Sequence, residues 1–254
     1  MTALLTPGTA TSRRHVQLGL VVLTALSWLY LILLSVRMGD MGSSLAMPMT
    51  SAWTGADVVL MWTMWAVMMA AMMLPSAAPM ITVYDSALGN ERAGLSGSTP
   101  LFVAGYLAVW AGFAATATAV QWLLHDAAVV SAMGELTNTW LGGSLLLGAG
   151  VYQFTGVKDA CVSHCRSPLS FIMNEWRPGP VGALRMGARH GTYCVGCCWV
   201  LMALLFVLGV MNLWWIAVLA AVVLLEKVLP SVAVTRAVGV GLAAWGIGLL
   251  IGIG

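Results

Sequence analysis

The chemistry-bearing side chains of this sequence are its sulfurs: 17 methionines and five cysteines among 254 residues. Thioethers and thiolates are soft ligands, suited to Cu(I) and related ions. Seven of the methionines fall within residues 61–80, MWTMWAVMMAAMMLPSAAPM, a stretch with no charge. At about 100° per residue on a helix, Met61, Met64, Met68 and Met72 form one stripe, and Met69, Met73 and Met80 a second beside it. All five cysteines lie in two further clusters. In CVSHC at 161–165, Cys161, His164 and Cys165 stand at i, i+3 and i+4, one face of a helix. In HGTYCVGCC at 190–198, Cys194, Cys197 and Cys198 repeat that spacing, with His190 one turn earlier. Thiolate and imidazole in this pattern make a soft or borderline metal site, for copper first and zinc second. The competing use is packing, since Met fills irregular gaps and free Cys behaves as a small hydrophobe. Two trios of matching spacing, each with a histidine, favour ligands.

The elements that position these residues are transmembrane helices. Hydrophobic residues make up 60% of the chain and charged residues 8%, against about 25% charged in a soluble domain. The expected fold is all-α, a polytopic bundle of about seven spans, with six as the alternative. A bilayer crossing of about 20 residues places them near 16–36, 56–80, 100–124, 139–157, 191–210, 212–229 and 233–254. Residues 1–15 are then a cytoplasmic leader, 16–254 a single transmembrane domain, and 158–190 a cytoplasmic Cys/His loop. Pro75 and Pro79 interrupt the second span and free backbone carbonyls there. With the N-terminus inside, ten of the eleven Lys and Arg residues fall on the cytoplasmic side, and Arg37 alone falls outside. No glycine-rich phosphate loop, basic nucleic-acid stripe or heptad repeat is present, so a nucleic-acid partner is not expected.

This topology lines the sulfurs up. Met38, Met41, Met47 and Met49 form an outer loop that could collect soft metal, and the stripe of span 2 descends through the bilayer. Both Cys/His clusters lie at the inner face, where a reducing cytoplasm argues against a disulfide framework. Asp57 and Glu226 lie near span ends, and Glu226 beside Lys227 predicts a paired or snorkelling role. His125 with Asp126 reads as a solvated loop pair.

At MWTMWAVMMAAMMLPSAAPM, GVYQFTGVKDACVSHCRSPLSFI and HGTYCVGCCWVLM, the sequence resembles a bacterial family described as predicted metal-binding integral membrane proteins. The resemblance covers roughly residues 55–230. It implies metal binding in a multi-pass protein of the bacterial inner membrane, and it associates the group with copper-related membrane monooxygenases. Onto this chain it carries the Met stripe with Cys161, His164, Cys165, His190, Cys194, Cys197 and Cys198.

The leading expectation is Cu(I) taken by thioethers and held at, or passed to, the Cys/His cluster. The partners are lipid, the metal ion, and a soluble copper carrier or a partner subunit. The alternative is a copper-dependent membrane monooxygenase or a subunit of one. Five cysteines count against it, because thiolates oxidise readily. A thiol–disulfide oxidoreductase and a structural subunit with a Met-rich core come after these.

Overall fold

The computed structural model describes residues 7–39, 53–88, 98–129, 136–229 and 231–252. These residues are almost entirely helical. Three long helices come first, α1 (Pro7–Gly39), α2 (Gly55–Leu88) and α3 (Ser98–Asp126). Shorter ones follow, α4 (Thr139–Tyr152), α5 (Gly156–Arg166) and α6 (Pro168–Glu175). The chain ends in α7 (Gly179–Ala203), the one-turn α8 (Leu205–Leu208), α9 (Leu213–Val228) and α10 (Val232–Leu250).

The core is built on α2, which packs against α1, α3, α9 and α6. Met61, Met64, Trp65, Met68, Met69, Met72, Met73 and Met80 are all buried in it. Trp65 Nε1 donates to Gln121 Oε1 of α3 at 2.6 Å, which satisfies a polar pair inside this apolar layer. α3 lies along α7, and α4 along α10. Small residues let both pairs approach at backbone distance, as helices in hydrocarbon do. Gly105 of α3 faces the Leu184 carbonyl and Gly187 of α7 faces the Phe102 carbonyl, and a Cβ fits at neither. In the other pair, a Cβ on Gly150 would come within 2.6 Å of the Ala243 nitrogen.

Apolar side chains also cover the outside. α1 exposes Leu18, Val21, Leu26, Leu29 and Leu33, and α10 exposes Val240, Trp245 and Ile247. Such faces suit lipid rather than water. Among the described residues, five helices are long and apolar enough to cross a membrane: Arg13–Arg37, Gly55–Leu88, Ser98–Asp126, Gly179–Leu208 and Val232–Leu250. The stretches expected to be spans at 139–157 and 212–229 form helices of only 14 and 16 residues. At about 1.5 Å per residue, these fall short of a hydrocarbon core of about 30 Å.

Two expectations change. Pro75 and Pro79 do not interrupt α2, which runs through both. Hydroxyls bond the carbonyls of that turn: Ser76 Oγ donates to Met73 O at 2.9 Å, and Thr82 Oγ1 lies 2.9 Å from Ala78 O and Pro79 O. The segment 158–190 is not a loop. It folds into α5, α6 and the first turns of α7. Local signals explain the breaks. Thr155 caps α5 through Lys158 N, Pro168 starts α6, and α7 starts after Pro178 with proline in its first turn. Met41, Met47 and Met49 of the outer collector lie outside the described residues.

Candidate metal centre

The centre is assembled on α7. Its i, i+3, i+4 spacing turns Cys194, Cys197 and Cys198 to one side, and all three are buried. Two of the thiols bond back to the same helix, Cys197 Sγ to Cys194 O at 3.1 Å and Cys198 Sγ to Cys194 O at 2.9 Å. These bonds fix their rotamers toward one carbonyl. Cys194 Sγ points outward from α7 and meets side chains from three other helices.

From α9, Lys227 Nζ donates to Cys194 Sγ at 2.8 Å. The same ammonium donates to Ser76 Oγ of α2 at 2.9 Å. From α3, the Tyr106 hydroxyl lies 3.1 Å from Cys194 Sγ and donates to Met73 O of α2 at 3.2 Å. The third partner is Cys165 of α5, which stands beside Cys194 and Cys197, and these neighbouring sulfurs together with burial push its thiol well above its ordinary range. The Lys227 ammonium makes a charge-assisted bond to Cys194 Sγ.

The remaining sulfurs flank this point. Met73 Sδ of α2 lies 4.0 Å from Cys198 Sγ. Cys161 sits over Gly196, where an added Cβ would stand 2.7 Å from its Sγ. It is partly exposed, and burial pushes its thiol up. All five cysteines are free. Met61, Met64, Met68, Met69, Met72 and Met80 are buried in the core around α2.

The two histidines have other surroundings. His190 is 2% exposed and lies among aromatic rings, stacked on Tyr106 at 5.7 Å with Phe171 edge-on at 5.6 Å. His164 lies on the outer face of α5, stacked on Tyr193 at 4.2 Å, with Nδ1 2.8 Å from Ala160 O. Among the described residues, no three Cys, His, Asp or Glu side chains are set to hold one metal ion together.

Beside the sulfurs runs a buried ion pair. Lys158 Nζ of α5 donates to Glu226 Oε2 of α9 at 2.7 Å, both side chains nearly inaccessible. Arg166 Nε donates to Glu226 O at 2.7 Å. These bonds clamp α5 onto α9 and so hold Cys165 against α7. Glu226 thus pairs with Lys158 and not with its neighbour. Lys227 does not snorkel: it is 7% exposed and turned toward sulfur. Asp57 is half-buried at the start of α2, where it accepts from Thr54 N and Oγ1. His125 is half-buried at the end of α3, 5.8 Å from the Trp53 ring, and Asp126 beside it is exposed.

Lys227, Tyr106 and Ser76 are the site residues that sequence reasoning missed. A lysine closing the apolar run of α9 was a usable signal, whereas Tyr106 and Ser76 carried none.

Residues 62–249 match the family model PpoB2, described as a copper chaperone. The chain belongs to this copper chaperone family. The match takes in every cysteine, α2 from Trp62 onward and Lys227, so the sulfur centre lies inside the PpoB2 region. It supports the copper expectation and lends nothing to zinc. No curated protein and no solved structure matches the chain.

Proposed function

We propose that this PpoB2-family protein is a copper-handling protein of the bacterial inner membrane that holds Cu(I) at the thiols around Cys194. The observation that carries the reading is the Cys194 sulfur, buried 2.8 Å from the Lys227 ammonium on the same helix face as Cys197 and Cys198, with Met73 Sδ 4.0 Å from Cys198 Sγ. Thiolate with thioether in an apolar surround is a Cu(I) environment. The five long apolar helices support membrane insertion, with α4 and α9 completing the bundle as shorter elements.

The cysteines grade from outside to inside. Cys161 and Cys165 of α5 are partly exposed, and Cys194, Cys197 and Cys198 are buried. Copper enters by exchange at the α5 thiols and settles at Cys194, with the Met73 thioether as the next sulfur inward. Exchange between thiols needs no change of redox state and no nucleotide. A soluble thiol-bearing carrier is the fitting donor or acceptor.

The test is copper stoichiometry of the full chain, purified anaerobically in detergent and loaded with Cu(I). The expected result is bound copper that survives desalting and is lost in Cys194→Ser. Copper absent from the unsubstituted protein, or retained in full by Cys194→Ser, sinks the reading.

A further inference from the structure

The copper reading leaves Lys227 without a role. A lysine inside an apolar bundle is costly unless an anion answers it. Its sequence neighbour Glu226 is engaged with Lys158, and among the described residues no carboxylate forms an ion pair with Lys227. Its partners are Ser76 Oγ and Cys194 Sγ, so the anion that answers it is sulfur.

Resting on the copper reading, we propose that Lys227 is a specificity-determining residue, a fixed positive charge that makes the thiol site accept a monovalent ion and reject a divalent one. The reason is charge balance in a medium of low dielectric, where any uncompensated charge is heavily penalised. Lys227 Nζ stands 2.8 Å from Cys194 Sγ, so its charge is part of any ion site built on that sulfur. Cu(I) held by Cys194 and one neighbouring cysteine as thiolates would release the thiol protons to water with no change of oxidation state. One ammonium, one monovalent cation and two thiolates then sum to zero. Zn(II) on the same two thiolates leaves a net positive charge, with the Glu226 carboxylate already engaged by Lys158.

The experiment measures Cu(I) and Zn(II) affinities of the detergent-purified full chain, each by competition with a chromophoric chelator of that ion. Unsubstituted protein, Lys227→Met and Lys227→Arg are compared. The Met variant makes the two-thiolate site neutral with Zn(II) and anionic with Cu(I). Its Cu(I)-to-Zn(II) affinity ratio is expected to fall about tenfold or more. Lys227→Arg keeps the charge and is expected to stay within about threefold of the unsubstituted ratio. If the Met variant does not fold, Lys227→Gln, which keeps a donor for Ser76, reads the same ratio.

A purely structural role would weaken both ions together and leave the ratio alone, and that result overturns the proposal while copper binding stands. An Arg variant that shifts the ratio as far as Met does also overturns it. Unsubstituted protein that binds no Cu(I) overturns both the proposal and the reading beneath it.

Discussion

The two cysteine trios have the same spacing and opposite fates. Cys161, His164 and Cys165 sit on the short, mixed-polarity α5, which turns His164 outward onto Tyr193 and leaves both thiols partly exposed. Cys194, Cys197 and Cys198 sit inside the long α7, crossed by α3 at glycine distance and capped by Lys227 from α9. Equal spacing gives each trio a shared face, and the neighbours of that face decide its chemistry. On α7 the face meets an ammonium, a tyrosine and a thioether. On α5 it meets the notch at Gly196 and the protein's edge. Under the copper proposal the first face holds the ion and the second passes it on.

The largest expected effect removes what clamps the two trios together. Glu226→Gln leaves the Lys158 ammonium buried without its carboxylate. Loss of one partner of a buried pair costs about 3–5 kcal/mol. Thermal unfolding in detergent should show a markedly lower midpoint, and an unchanged one would mean that α5 is held by something else. Next, Cys194→Ser should weaken Cu(I) binding by about 100-fold or more, since even outer-sphere partners of a metal ligand are worth 10–100-fold. Cys161→Ser should cost far less in the same chelator competition. Equal losses would erase the distinction between holding and passing.

Smaller changes sharpen the comparison. Gly196→Ala puts a methyl where Cys161 Sγ packs, and such overpacking costs about 1–3 kcal/mol. The lower value is expected because one side chain can move, and denaturant unfolding measures it. Burial pushes the Cys161 thiol up. A thiol so raised is neutral below its own value and becomes nucleophilic only as pH rises through it. Its iodoacetamide labelling should therefore climb later with pH than that of an ordinary thiol near 8.5. Labelling already complete at pH 7 would place Cys161 in a different environment. The smallest effect belongs to His164→Ala. Its imidazole is exposed and engaged with Tyr193 and Ala160 O, so Cu(I) affinity should stay within about twofold, well below the cost of losing even an outer-sphere partner.

Much of this was legible because it rests on periodicity. The Met stripe lies on a buried helix face, and the α7 spacing turns Cys194, Cys197 and Cys198 to one buried side, as a repeat of 3.6 residues requires. The helical nature of 158–190 was hidden by its polarity, although Thr155, Pro168 and Pro178 mark the breaks between short helices. The continuity of α2 through two prolines was hidden as well. It depends on a packed surround, with Met72, Met73, Ser76, Ala77 and Met80 all buried around the two prolines.

The sequence by itself determined composition, helical class, the clustering of soft ligands and the copper expectation. Those follow from residue type and from short-range spacing. Only the tertiary structure decided which thiol is central, that His190 and His164 stand apart from it, and that Lys227 faces sulfur while its neighbour Glu226 faces Lys158. Lys227 and Cys194 are 33 positions apart, and Lys158 and Glu226 are 68. No local pattern couples residues at such separations. A buried charge selects its partner from whatever the folded helices bring within reach, because leaving it unanswered in an apolar interior costs more than any local preference.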